Sequence, residues 1–217
     1  MKPITPDELK EILASHKKWL QKEEGGVRAC LAEADLVGAN LAGLDLTGAD
    51  LRGANLTVAN LTITRLTGAN LEGADLTDAN LEGTFLEGTN LAGANLTKCT
   101  LKYTGLRNAN LAGALLRGAY IDCANFTGAN LSAADLTHAR LNKAILQGAN
   151  LERADLSGAA AYGANLSGAS LRGANLTGAY LRSSVLTDAD LEGAILKHAN
   201  LKGTNLKSAR NIPRSFI

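Results

Sequence analysis

An all-β solenoid is the fold class this sequence predicts, and three observations predict it. A central apolar residue recurs at every fifth position from Leu31 to Leu206, 36 times without an insertion. Alanine stands two residues before most of these centres, with Asn or Asp between them. Glycine stands two residues after the centre in 20 of the 36 units. A period of five matches neither the strand period of two nor the helix period of 3.6, so it describes a repeated unit stacked on itself.

Each part of the unit has a physical reading. Ala and Leu are two apart, so in an extended segment both side chains point to one face and the Asn or Asp between them points the other way. Glycine two beyond Leu suits the left-handed position of a type II turn. The pentad is therefore a very short strand followed by a corner. The centre is Leu except at Ile121, Phe126 and Ala161. The position two before it is otherwise Thr, Cys, Ser or Leu44. Corners that carry Lys98, Tyr103, Asn108, His138, Lys143 or Arg153 are expected to avoid positive φ and use another turn.

Ahead of the repeat, Thr5 and Glu8 form a T-x-x-E capping box with Pro6 at the first helical position. Leu9, Ile12, Leu13, His16, Trp19 and Leu20 share one face of the predicted helix, and Gly25 and Gly26 are expected to end it. The helix reads as a lid over the first coil, and the same stripe would also serve as a docking helix. The chain divides into a capping segment (1–28), the repeat (29–208) and a tail (209–217). From Lys197 onward the chain holds Lys202, Lys207, Arg210 and Arg214 with no acid, and ends in Phe216 and Ile217. That tail reads as a cap folded over the last coil or as a dimer contact.

The repeat as it stands in "GANLEGADLTDANL" resembles the pentapeptide-repeat family, over about four-fifths of the chain. The resemblance implies a right-handed quadrilateral β-helix. Four pentads would close each coil, giving nine coils of 20 residues across 29–208 and a rod roughly 43 Å long. The segments "ILASHKKWLQ" and "GGVRACLAEADL" resemble bacterial and cyanobacterial members with a short leading helix.

Composition excludes several function classes. A net charge of +1 offers no bulk field for nucleic acid or an anionic membrane. No apolar run is long enough to span a bilayer, and the first residues are polar and charged, unlike a secretory signal. The three cysteines, Cys30, Cys99 and Cys123, show no metal-like spacing and fit a reducing cytoplasm. No catalytic constellation or phosphate loop stands out, so neither enzyme activity nor a cofactor is expected. His138 and His198 share a column but sit three coils apart, ~14 Å, too far for one metal. The family resemblance brings in protection of DNA gyrase by duplex mimicry. Residues 29–208 carry 16 acids against 14 bases, far from the acidic rod that mimicry needs.

Function on a repeat scaffold lies where the outer surface departs from the repeat. Folded at 20 residues per coil, one column reads Asp50, Asn70, Asn90, Asn110, Asn130, Asn150 and is structural. Another face gathers Tyr103, Tyr120, Arg140, Tyr162, Tyr180 and Arg182, including every tyrosine in the chain. The next column, Arg65, Phe85, Gly105, Asn125, Ile145, Asn165, Val185, also loses Asn in places. Tyr and Arg are enriched at interface hot spots. The expected function is a cytoplasmic, non-enzymatic scaffold for another protein, with no direct nucleic-acid or membrane partner, as a monomer or end-to-end dimer. The alternatives are a topoisomerase-binding DNA mimic and a scaffold without a specific partner, whose tyrosines reflect drift.

Overall fold

The computed structural model describes residues 2–213. The expectation that Phe216 and Ile217 fold over the last coil lies outside the described residues.

The first element, β1 (Lys2–Pro3), pairs in parallel with β2 (Ala34–Asp35). Between them runs α1 (Pro6–Leu20). Its start is the capping box: Thr5 Oγ1 accepts the Glu8 N–H at 3.2 Å, and the Glu8 carboxylate accepts the Thr5 N–H at 2.8 Å. Asp7 and Glu8 in the first turn and Lys17 and Lys18 in the last suit the helix dipole. The helix stops before the two glycines. Lys22 takes the left-handed position at φ 57°. The Glu23 N–H then donates to the Lys18 carbonyl, and the Lys22 N–H to the Trp19 carbonyl. That is a Schellman ending with lysine in the usual glycine place. Gly26 has a different duty: a Cβ there would stand 2.3 Å from the Trp19 backbone nitrogen, so only glycine lets the chain turn back against the helix.

Helix α1 lies on the first coil. Ile4, Leu9, Ile12 and Leu13 pack against the core, Leu20 is half-buried, and Trp19 stays 38% exposed at the rim. Ser15 Oγ accepts the Val27 N–H at 3.1 Å, and His16 Nδ1 accepts the Ala29 N–H at 3.0 Å. His16 is buried and stacks on Trp19, with its Nε2 left without a partner. Burial pushes its imidazole below the ordinary value of 6.5, against the pull of Asp45 and with the push of Arg28. The folded protein therefore binds fewer protons here than the unfolded chain. This contribution to stability is complete above pH about 6.5 and declines as pH falls through the window below it. The melting temperature and the exchange protection of the Ala29 amide should both drop on mild acidification. His16→Gln, which keeps an acceptor but does not titrate, should remove that component; an unchanged pH profile in the variant would end this account.

From Cys30 to Arg210 every bridge is parallel and joins residues twenty apart, so each pentad stacks on the fourth one beyond it. One unit shows the bonding. The Leu71 N–H donates to the Asn90 carbonyl at 2.7 Å, Gly73 to Ala92 at 2.9 Å, and Asn70 to Ala49 at 2.9 Å, while Ala74 closes the corner onto Leu71 at 3.0 Å. The inward Leu and Ala form one continuous buried core, half-exposed towards its two ends at Ala39 and Leu44 and at Ala199, Leu201, Leu206 and Ala209. Where Thr replaces the inward Ala, its hydroxyl donates to a carbonyl of the coil below, as in Thr84 to Leu61 at 2.7 Å.

The corners correct one expectation. Lys98, Tyr103, Asn108, His138, Lys143 and Arg153 all keep positive φ, between 55° and 59°, like the glycine corners. The stacking imposes it. Each corner N–H donates to the next coil, as in Lys98 to Arg117 at 2.9 Å and His138 to Ser157 at 3.0 Å. A left-handed non-glycine residue costs roughly 1–2 kcal/mol. A corner cannot leave this conformation without breaking its bond to the next coil and disturbing the pairing around it. Each hydrogen bond so lost contributes about 0.5–1.5 kcal/mol, so the ladder wins.

Candidate protein-docking face

Over most of the rod the outward Asn or Asp is consumed by its own backbone. Its side-chain oxygen accepts the N–H two residues on, as in Asp75 to Thr77 at 2.9 Å and Asn130 to Ser132 at 3.1 Å. The amide then donates to the coil before: Asn90 to Asn70 at 3.1 Å, Asn110 to Asn90 at 3.0 Å, Asn130 to Asn110 at 3.1 Å. This column is a structural ladder with little left to offer a ligand.

One face departs from this pattern. Asn40, Asn60 and Asn80 cap their corners, and Asn200 does so again. Between them the stacked column is Thr100, Tyr120, Arg140, Ala160, Tyr180, with no Asx residue over five successive coils. The lost caps are partly replaced from two residue positions further along. Asp122 Oδ1 accepts both the Asn142 N–H at 3.2 Å and its amide at 2.8 Å, and Asn142 Oδ1 accepts the Tyr162 N–H at 3.1 Å. The corner geometry is held by this inter-coil chain while the outward side chains are released from it.

The released side chains form a surface. The Arg140 guanidinium lies 5.6 Å above the Tyr120 ring centroid. Its Nη2 stands 3.5 Å from Asp122 Oδ2, where charge attraction acts without a hydrogen bond, so that buried oxygen has no donor. Tyr162, Tyr180 and Arg182 are exposed further along the same face, and Tyr103 projects from its corner. Tyr120 and Arg140 are thus in contact, whereas Ala160 separates Arg140 from Tyr180. The neighbouring column behaves differently. Arg65 covers Phe85 at 5.4 Å and the Glu87 carboxylate folds over Gly105, but Asn125 and Asn165 keep their caps, so the departure is intermittent. Sequence reasoning passed over Asp122 and Asn142. Their signal was an Asp and an Asn twenty residues apart at the position after the centre, where Thr, Ser, Glu and Arg are common.

Among the described residues no three His, Cys, Asp or Glu side chains converge as metal donors. Cys99 is buried, which pushes its thiol up; Cys123 is half-buried and Cys30 exposed. No helix among the described residues is long and apolar enough to cross a membrane.

The family model described as pentapeptide repeats matches the chain in eight copies, over residues 29–68, 74–113, 106–137, 134–173 and 174–210. The chain belongs to the pentapeptide-repeat family, and its fold is the right-handed β-helix solenoid with one N-terminal helix. Among solved structures it is similar to HetL, a pentapeptide repeat protein involved in heterocyst differentiation regulation from the cyanobacterium Nostoc sp. strain PCC 7120. That match is 33% identical, covers 95% of this chain and 96% of HetL, and has a TM-score of 0.41. Trypsin-treated QnrB1, a plasmid-mediated fluoroquinolone resistance protein, is 24% identical over 79% of this chain and 88% of its own, with a TM-score of 0.55. Rfr23 from the cyanobacterium Cyanothece 51142 is 30% identical over 61% and 88%, with a TM-score of 0.40. A comparison with curated proteins found no match.

Proposed function

We propose that this chain is a non-enzymatic, cytoplasmic interaction scaffold that docks another protein on the Tyr120–Tyr180 face. In this reading residues 1–28 cap a four-sided rod of nine coils over 29–208, with 209–217 as its tail, in a monomer or an end-to-end dimer. The observation that carries it is the loss of corner-capping Asx residues over five successive coils of one face, with replacement anchors at Asp122 and Asn142. Random loss of caps would leave the affected N–H groups open. Here two are recaptured, and three of the five vacated outward positions hold Tyr or Arg, the residues enriched at hot spots. A duplex mimic has less support, because this face carries cations where a phosphate backbone would need to be copied.

The test is to return Tyr120, Arg140 and Tyr180 to Asn and Tyr162 and Arg182 to Thr, leaving Asp122 and Asn142 in place. The inward core is untouched, so the circular dichroism spectrum and melting temperature should hold. Photo-crosslinking from residues 120, 162 and 180 in cells should give discrete protein adducts that the reverted protein loses, while crosslinkers at residues 112 and 132 give none. Equal adducts from both faces would place the binding surface elsewhere.

A further inference from the structure

The charges on this face point to the chemistry of its partner. Between residues 100 and 182 it carries Lys102, Arg140, Lys143 and Arg182 against one acid, Asp122. Asp122 is occupied by Asn142 and by the nearby Arg140. Lys102, Lys143 and Arg182 take part in no ion pair among the described residues. Lys102 and Lys143 stand about two coils apart, as do Lys143 and Arg182, ~9.6 Å per step at the strand spacing, with Lys143 one position further round its coil.

That spacing separates the possible occupants. An α-helix advances ~10.5 Å in seven residues and returns side chains to nearly the same face. In an extended strand ~10 Å is three residues, which puts successive side chains on opposite faces. An added strand also finds no backbone partner, because the ladder already uses this column: the Tyr120 N–H donates to Cys99 and the Leu101 N–H to the Tyr120 carbonyl. A single-stranded nucleic acid would stack its bases on aromatic faces; Arg140 covers Tyr120 but Tyr162 and Tyr180 stay exposed, so oligothymidylate is the competing occupant to test against. Ala160 leaves only a methyl group between Arg140 and Tyr180, a dip where an apolar side chain can seat.

We infer that this face binds an amphipathic acidic α-helix of another protein, laid along the rod axis, whose carboxylates at seven-residue intervals meet Lys102, Lys143 and Arg182. The inference rests on the docking reading above and names its partner. The experiment is a nuclear magnetic resonance titration of the intact protein with three probes. The first is a helical peptide of ~18 residues with Glu at every seventh position flanked by Leu and Ala. The second has the same composition with Glu at every fifth position, and the third is oligothymidylate of similar charge. The first probe should bind at least tenfold more tightly than either of the others, with shifts confined to the 100–182 face. Changing Lys102, Lys143 and Arg182 together to Gln should abolish that preference without disturbing the rest of the spectrum. Equal binding of the two peptides, tighter binding of oligothymidylate, or no binding of the first peptide at millimolar concentration would overturn the acidic helix. Shifts on this face with both peptides would still uphold docking there. Shifts on the Asn70–Asn130 column or on α1 would remove the docking face itself.

Discussion

Replacing Leu141 with alanine lowers the stability of the rod by about 2–5 kcal/mol. Leu141 is fully buried, and its N–H donates to the Ala160 carbonyl at 2.6 Å. The coils on either side are pinned by the same ladder, so the space left behind has little means of closing. In a solenoid each coil touches only its neighbours, so a defect at mid-rod also weakens the coupling between the two halves. Denaturant unfolding should show a lower midpoint and a broader transition. The same truncation at Leu206 should cost clearly less, because that side chain is half-buried in the last coil. A complementary change runs the other way. Ala161 occupies a centre that is otherwise Leu, Ile or Phe, and the ladder passes through it unchanged, its N–H donating to Tyr180 at 2.9 Å. Tyr162 is exposed and so does not fill the place of the missing side chain. Ala161→Leu should therefore stabilise by ~0.5–2 kcal/mol. Equal losses at Leu141 and Leu206, or a destabilised Ala161→Leu, would mean that the coils relax around such changes.

The repeat was legible because it is a local pattern: Ala, Asx, Leu and corner glycine each state their role within five residues. What was illegible is non-local. The φ of Tyr103 or Arg153 is decided by a carbonyl nineteen residues away, and no local preference reports that. Lys22 ends α1 ahead of the glycines because its N–H and that of Glu23 satisfy the last helical carbonyls, a geometry that glycine favours but does not own. The tyrosines could be grouped on one face from their spacing alone. The anchoring of that face by Asp122 and Asn142 could not, since it depends on which oxygen of one coil reaches which N–H of the next. The same limit hid the covering of Tyr120 by Arg140.

Deleting residues 1–24 should turn the protein into an end-to-end aggregator. The deletion removes Ile4, Leu9, Ile12 and Leu13 from the core of the first coil and β1 from the edge at Ala34–Asp35. It also withdraws the Ser15 and His16 acceptors from the N–H groups of Val27 and Ala29. What remains is a flat apolar end ringed by unpaired parallel-strand backbone, the arrangement that edge strands are normally built to avoid. The bared end has the ladder pattern that every coil inside the rod offers to the coil before it. Its complement is therefore the far end of another rod, and the contact is head-to-tail. A head-to-tail contact that does not close on itself grows into open chains. Sedimentation velocity should show a concentration-dependent series of species, or the protein should fall out of solution, where the intact chain sediments as one species. Replacing Leu9 and Leu13 together with Asp should give a milder version, because the side-chain acceptors Ser15 and His16 and strand β1 then stay in place. If the truncated protein sediments as a single small species and melts at the same temperature as the intact chain, α1 does not protect the rod. The stripe of Leu13 and Trp19 is then better read as a second docking element, and the crosslinking experiment should be repeated from those positions.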